Sequence, residues 1–486
     1  MNLLVPSAES QTFKKTSWLV KWGFSVTNGR KIIIIGCGAG GGTTAQFARK
    51  TERNATITLF EKGKYPQYSK CGLPYVISGK IPDFRNLIEF SEDWFKKERI
   101  DLFLETTVEA IDIKKRTVTA KRGTEHIEKE FDSLVLATGA KPWIPPIQTI
   151  QKNEQLLKGV YILRTIDDGK QIISQIKKGK KATIIGAGLI GLEMADSLHS
   201  KGMNVTVVEA LPTILANTLD GDMSEPVFQA IQEKITIYTN HLAIRAEEHQ
   251  GAITSLFIKE TASGEEKKIE TDLLIIATGT KPEVTLAKSI GCTIGKTGAI
   301  RVNEKAETSV KNVYAVGDCT EYRDFVTQEP LGIGLGSIVV RQGITAGVNA
   351  AGGNSTLPNG VLLTRTSEFF GIEIAAVGPV KQSVQHLPLV SGKFKGSSLP
   401  EYFPGGEPIT IKVGVHEETG QILSAQAVGS NAAQRINTLA CAILGKTPVD
   451  EFRKLETAYA PPIAPTLDAV TLACDVVSLK LARKRR

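Results

Sequence analysis

Lys31-Ile-Ile-Ile-Ile-Gly36-Cys-Gly38-Ala39-Gly40-Gly41 decides the fold. Four consecutive isoleucines read as a buried strand, and the run then breaks into glycines. Residues 43–50 read as a helix, and Ala55-Thr-Ile-Thr-Leu-Phe60-Glu61 reads as a second strand ending in an acid. The order is strand, Gly-x-Gly-x-x-Gly, helix, strand, acid. Glycines let the backbone approach a pyrophosphate at the helix N-terminus, and Glu61, 20 residues after Gly41, is placed to bind ribose hydroxyls. The glycine spacing alone is weak evidence; in this setting it is strong.

The pattern returns. Ala182-Thr-Ile-Ile-Gly186-Ala-Gly188-Leu189-Ile190-Gly191-Leu-Glu193 precedes a second helix, then Val205-Thr-Val-Val-Glu209. Each copy leads to a shared box, Leu136-Ala137-Thr138-Gly139-Ala-Lys-Pro142 and Ile276-Ala-Thr278-Gly279-Thr-Lys-Pro282. Two fingerprints closed by the same box form an internal repeat, and two nucleotide units suggest a flavin and a nicotinamide brought face to face. Thr308-Ser-Val-Lys-Asn-Val-Tyr314-Ala-Val-Gly317-Asp318 is a further strand ending in Gly-Asp. An aspartate there can accept hydrogen bonds from the ribityl chain of FAD, which a nicotinamide cofactor lacks. FAD therefore belongs to the first fingerprint and NAD to the second, inserted one. Glu209 would bind a free 2′-hydroxyl and repel a 2′-phosphate, and residues 210–215 contain no Arg or Lys, so NADH is favoured over NADPH.

The expected architecture is α/β: two Rossmann-like three-layer dinucleotide-binding domains and a C-terminal α+β dimerisation domain. The FAD unit takes residues 31–150 and 283–352, the NAD unit 151–282 and the dimerisation unit 353–486. In the last, 361–380 and 409–428 alternate in a strand-like way, and 431–444, 450–455 and 467–481 read as helices. Residues 1–30 form an N-terminal extension without the apolar run of a signal peptide.

Whole-chain properties exclude several classes. The net charge of +8 is spread along the chain apart from 480–486, so no nucleic-acid surface is read. Six cysteines, at 37, 71, 292, 319, 441 and 474, contain no Cys-x-x-Cys; this fits a reducing, cytoplasmic setting without structural zinc. No stretch approaches the ~20 apolar residues of a membrane span.

One cysteine stands apart, in Tyr65-Pro-Gln-Tyr-Ser69-Lys-Cys71-Gly-Leu-Pro-Tyr75. A thiolate at Cys71 would be favoured by Lys70 and by the amides of a helix beginning near Leu73 or Pro74. An isolated cysteine is more often a small packing residue; the other five are read that way.

Together these residues resemble the pyridine nucleotide–disulfide oxidoreductase superfamily, and within it the single-cysteine branch of coenzyme A-disulfide reductases, NADH oxidases and NADH peroxidases. The most specific pieces are Ser69-Lys-Cys71-Gly-Leu-Pro-Tyr75, the two boxes, Val316-Gly-Asp318-Cys and Ala458-Tyr459-Ala-Pro-Pro462. The resemblance implies FAD, NAD(P)H and a homodimer, with Cys71 beside the flavin on the face opposite the nicotinamide. It implies FAD contacts at Gly36, Gly38, Ala39, Gly40, Gly41, Glu61, Lys62, Ser69, Cys71, Val108, Ala137, Thr138, Gly139, Asp318, Leu335, Gly336 and Ser337. It implies NAD contacts at Gly186, Gly188, Leu189, Ile190, Gly191, Glu193, Glu209 and Gly279. Tyr459 matches a tyrosine that protonates the leaving thiolate in the partner's site. Tyr402 stands where the family often has two adjacent tyrosines, with Phe403 as the second.

Absences narrow the subclass. Two-cysteine members keep a second thiol five residues on, here Val76, and a His–Glu pair near the C-terminus, whereas no histidine follows His416. Peroxidase and oxidase members carry a histidine where this chain has Ala39, and Lys70 replaces a common asparagine. The expectation is an FAD-dependent NAD(P)H oxidoreductase that reduces a small disulfide, coenzyme A disulfide or polysulfide through Cys71. The alternatives are an NADH oxidase acting on O2 and a reductase of an electron-transfer protein.

Overall fold

In the computed structural model, residues 29–153, 155–332 and 334–485 are described; the expected N-terminal extension lies outside them except for Gly29 and Arg30. The isoleucine run forms strand Lys31–Ile35, the centre of a parallel sheet ordered Val313–Ala315, Ser133–Leu136, Lys31–Ile35, Thr56–Phe60, Ile100–Phe103. Side chains alternate across a strand, so Ile32 and Ile34 face the helices while Ile33 and Ile35 face the antiparallel sheet Thr107–Asp112, Thr117–Arg122, Glu125–Glu130. Both faces are covered, which is why the run is apolar throughout. Each buried isoleucine contributes about 2 kcal/mol.

The second unit repeats the order: Val160–Ile162, Leu273–Ile276, Lys181–Ile185, Asn204–Val208, Thr236–Tyr238, again all parallel. Its antiparallel layer is His241–His249, Ala252–Glu260 and Glu266–Glu270. Strand Val313–Ala315 returns the chain to the first sheet beside Ser133–Leu136.

The two boxes meet. Ala140–Pro142 pairs antiparallel with Thr280–Pro282. Thr138 Oγ1 donates to the Glu283 carbonyl and Thr278 Oγ1 to the Trp143 carbonyl, both at 2.7 Å. The Glu283 and Trp143 N–H groups return bonds to the Gly139 and Gly279 carbonyls. The repeat thus builds a two-fold-like ribbon through which the chain enters and leaves the inserted unit. Ile147 and Ile150, expected in the first unit, pack in the core of the second; the first crossing lies at Ala140–Pro142, ahead of position 150.

The first helix runs Ala39–Thr51, four residues earlier than expected. Its early glycines remain helical because helix Gly336–Ala350 lies against them: a Cβ on Gly343 would stand 2.7 Å from the Gly40 carbonyl oxygen. Tertiary packing here overrides glycine's low helix propensity.

The third unit is an antiparallel sheet ordered Arg365–Phe369, Ile372–Val377, Ile422–Gly429, Pro408–His416, Leu389–Ser397. Helices Ala432–Leu444 and Ala469–Lys484 cover one face, while Phe369, Ile374 and Ala376 on the other pack into the second unit's core. Strand Leu389–Ser397 escapes the sequence reading because it is rich in Gly, Lys and Ser. Its Gly392 admits helix Ala469–Lys484, since a Cβ there would be 2.5 Å from the Val477 nitrogen. Among the described residues no helix is long and apolar enough to cross a membrane.

Candidate active site

Each glycine loop divides its labour in the same way. Gly36 and Gly186 have φ of 106° and 104°, a left-handed backbone that disfavours any side chain. A Cβ on Gly36 would also stand 2.3 Å from the Ala137 carbonyl oxygen, and one on Gly41 1.8 Å from that of Gly36. Gly38 and Gly188 differ, for a Cβ there would meet nothing within 4 Å. They begin helices Ala39–Thr51 and Leu189–Ser200, neither of which has a side-chain cap. Open space over uncapped helix N–H groups suits a pyrophosphate, so both loops fit a dinucleotide.

The acids also match. Glu61 accepts N–H bonds from Cys37 and Gly63, each at 2.7 Å. Glu209 accepts from Ala187 at 2.7 Å and Leu211 at 2.9 Å. Each carboxylate is held at the lip of its glycine loop, where a ribose would lie.

Asp318, just beyond strand Val313–Ala315, does not stand alone. Arg164, on the loop before helix Ile166–Gln175 of the second unit, donates from Nη2 to Asp318 Oδ2 at 2.7 Å. Arg164 Nε is buried without a partner among the described residues. Sequence reading missed Arg164. Its signal is faint, one arginine before the capping box Thr165–Asp168, and only folding brings it to Asp318, 154 positions away.

Cys71 lies in the turn Lys70–Gly72, which runs into helix Leu73–Ser78 with Pro74 in its first turn. With Cys441 it is one of two exposed free cysteines; Cys37, Cys292, Cys319 and Cys474 are buried. Its electrostatics correct the sequence reading. Although one edge is exposed, burial of the sulfur is the main cause raising the thiol above its ordinary pKa; Glu193 and Asp318 raise it further, and Arg164 opposes them. The cation that opposes the rise is Arg164; Lys70 has its own ammonium pKa lowered, by burial first and then by the Arg164 charge.

Glu193, expected at the nicotinamide, is hydrogen-bonded to the third unit. Ser367 Oγ, on strand Arg365–Phe369, donates to Glu193 Oε1 at 2.6 Å. Ser367 and the influence of Glu193 on Cys71 are absent from any short sequence motif.

The remaining expected residues fall as follows. Ala137, Thr138 and Gly139 follow strand Ser133–Leu136 at the mouth of the first glycine loop, and Gly279 occupies the equivalent place in the second. Leu335 precedes helix Gly336–Ala350, leaving Gly336 and Ser337 exposed in its first turn. Ser69 caps the Cys71 turn without a side-chain bond, Lys62 is exposed beyond Glu61, and Val108 packs between the parallel and antiparallel layers. Leu189 and Ile190 open the second dinucleotide helix, Ile190 being 51% exposed and so available to a ligand. Tyr402 and Tyr459 lie in the third unit, hydroxyl to hydroxyl at 2.8 Å and both exposed.

Comparison with known proteins matches the three-unit architecture. The model of the pyridine nucleotide-disulphide oxidoreductase family matches residues 30–349, and that of its dimerisation domain matches 365–470. A Methanocaldococcus jannaschii protein named NADH oxidase is 38% identical over 462 residues, covering 93% of this chain and 100% of its own. A Pyrococcus horikoshii protein named NAD(P)H coenzyme A polysulfide/persulfide reductase is 32% identical over 453 residues, with 92% and 98% covered. The solved structure of a NAD-dependent persulfide reductase from A. fulgidus superposes with a TM-score of 0.88 at 33% identity, over 93% of this chain and 84% of that one. With the two-nucleotide body and the C-terminal sheet both matched, the chain belongs to the pyridine nucleotide-disulphide oxidoreductase family.

Proposed function

We propose that this protein is an NADH-dependent flavoprotein that reduces a small disulfide or polysulfide, coenzyme A disulfide included, through Cys71. One observation carries the reading: Cys71 is an exposed cysteine opening the segment that the second unit grips, the Ser197 hydroxyl of helix Leu189–Ser200 donating to the Pro74 carbonyl at 2.9 Å. Asp318 of the first unit and Glu193 and Arg164 of the second all act on its sulfur. Gly36–Gly41, Glu61 and Asp318 would hold FAD, which would supply a two-electron carrier between a reduced nicotinamide and sulfur.

The chain's own residues do the rest. Arg164 fixes Asp318 and favours the thiolate of Cys71, the form that attacks a disulfide sulfur. Attack forms a mixed disulfide with one half of the substrate and expels the other as a thiolate. Across the dimer, the Tyr402–Tyr459 pair of one protomer offers a phenolic proton to the leaving sulfur in its partner's site. Glu209 accepts the 2′-hydroxyl of NADH at the second loop. A homodimer is supported by the matched dimerisation domain and by the exposed Ile463 and Leu467 beside Tyr459 in the third unit.

Reduction of O2 is a second reading, supported by the name of the M. jannaschii relative, NADH oxidase. A reductase of an electron-transfer protein would leave Cys71 without a task. The test is NADH consumption under anaerobic conditions with coenzyme A disulfide, polysulfide or peroxide, and then in air. Cys71→Ser should abolish disulfide reduction while NADH still bleaches the flavin. Disulfide reduction at the parent rate by this variant would remove Cys71 from the mechanism.

A further inference from the structure

Helix Gly336–Ala350 touches both ends of the site that would hold FAD. On one side it lies against helix Ala39–Thr51, whose open start at Gly38 suits a pyrophosphate. Gly343 and Gly347 are four residues apart and share the face that makes this contact. A Cβ on Gly343 would stand 2.7 Å from the Gly40 carbonyl oxygen, and one on Gly347 2.5 Å from that of Thr44. The two backbones touch, which fixes how deeply the helix sits.

The same helix carries Gln342, only 2% exposed. Gln342 Oε1 accepts the Gly317 N–H at 2.8 Å and the Tyr322 hydroxyl at 2.9 Å. Burial holds the Tyr322 phenol above its ordinary pKa, so it keeps the proton it donates. Thr320 Oγ1 donates to the Gly317 carbonyl at 2.7 Å and accepts from Gln342 Nε2 at 3.1 Å. One amide, with both its ends in use, closes a buried network around the turn 317–320.

Asp318 is the second residue of that turn. Gly334, on the approach to the helix, passes close to it, for a Cβ there would be 2.8 Å from Asp318 Oδ1. Gln342 itself is 25 positions from Gly317, outside both glycine fingerprints. A flavin dinucleotide gripped at its pyrophosphate and at its ribityl chain needs the two grips correctly spaced, and such spacing is set by the residues behind them.

We propose that Gln342 is a positioning residue for FAD: with Gly343 seated on Gly40, it fixes the place of Asp318 relative to the pyrophosphate loop. The proposal rests on the assignment of FAD to the first loop and of its ribityl chain to Asp318. Gln342 binds the turn that carries Asp318, whereas Glu61 is held separately, by the Cys37 and Gly63 N–H groups. Loss of Gln342 therefore acts on the ribityl end of the site and spares the adenosine end.

The experiment compares FAD with ADP, which has the adenosine and pyrophosphate and no ribityl chain. The FAD-loaded, full-length protein is diluted to equilibrium, and the fluorescence of released flavin gives Kd for FAD. ADP is then added to displace the flavin, which gives its Ki at the first loop alone. Gln342→Met keeps the side chain's length and takes the acceptor from the Gly317 N–H and the Tyr322 hydroxyl. Kd for FAD should rise by about tenfold or more, with Ki for ADP at the parent value. Tyr322→Phe removes one donor only and should weaken FAD by less, again sparing ADP; it serves if Gln342→Met does not fold. Equal losses of FAD and ADP would make Gln342 a general support of the fold and overturn the proposal, as would parent affinity for both. Asp318→Ala tests the underlying assignment, and should weaken FAD and spare ADP. FAD weakened by Asp318→Ala and not by Gln342→Met sinks the positioning role and leaves that assignment standing. Parent FAD affinity in Asp318→Ala sinks the assignment, and the proposal with it.

Discussion

Arg164 Nη2 and Asp318 Oδ2 are 2.7 Å apart, joining the inserted unit to the residue that ends the returning strand of the first. The two side chains are 23% and 19% exposed, so screening by solvent is limited and removal of one partner leaves a costly charge. Arg164→Met should lower stability by about 3 kcal/mol in urea unfolding. It should also slow Cys71 alkylation at neutral pH, since Arg164 is the group that favours the thiolate. Arg164→Lys should restore much of the alkylation rate. Parent-like alkylation in Arg164→Met would assign the arginine to structure alone.

The glycines of the first loop should separate folding from cofactor binding. Gly36→Ala places a side chain at φ 106° and 2.3 Å from a carbonyl oxygen, and should cost more than about 2 kcal/mol or prevent folding. Gly38→Ala points its methyl into open space. It should fold with the parent apoprotein melting temperature and lose FAD affinity, measured by fluorescence titration. Unchanged FAD affinity would argue against pyrophosphate at this loop.

The tyrosine pair should matter for chemistry and little for stability, because both rings are exposed. The Tyr459 hydrogen bond raises the Tyr402 phenol, which keeps it a proton donor. Tyr459→Phe should lower kcat for coenzyme A disulfide by about 100-fold, within the range of general acid catalysis. Bleaching of the flavin by NADH should be unaffected, and a parallel fall in both rates would point away from proton donation.

Glu209 should set coenzyme choice. Its carboxylate is fixed by the Ala187 and Leu211 N–H groups and would repel a 2′-phosphate. Glu209→Ala should narrow the NADH-to-NADPH ratio of kcat/KM by about tenfold, one interaction's worth. Equal use of NADPH by the parent enzyme would remove this role.

The ribbon between units should weaken in acid. Burial alone would raise Glu283, but hydrogen bonds from Lys141 and Thr285 outweigh it and hold the carboxyl at about 2. An unfolded glutamate titrates near ~4.3. The depressed value therefore adds stability above ~4.3 that is lost as pH falls toward about 2. The melting-temperature advantage of the parent over Glu283→Gln should shrink across that window. A constant difference would show that Glu283 does not act through its charge.

Much of the fold could be read because local pattern and burial coincide. Ile32–Ile35 form an apolar run because both faces of their sheet are covered, and the repeated glycine loops and boxes mark each unit regardless of tertiary detail. Helix Ala39–Thr51 begins earlier than its glycines suggest, because Gly343 comes from three hundred residues away to pack on Gly40. Strand Leu389–Ser397 carries almost no local signal, since an edge strand under a close helix can be built from Gly, Lys and Ser. The candidate site divided in the same way. Gly38, Glu61, Gly188 and Glu209 are near neighbours in sequence and could be found there, whereas Arg164 and Ser367 could not.

By itself, the sequence determined two dinucleotide units, their order and the one cysteine set apart from the rest, because each rests on patterns within a few tens of residues, and the repeated boxes with the Gly317-Asp318 strand marked the inserted topology. The tertiary structure alone decided what governs that cysteine. Lys70 is its neighbour in the chain, yet Glu193, Asp318 and Arg164 are its neighbours in charge. Electrostatic interaction depends on distance through a desolvated space, and only the packing of three units on one another sets that distance.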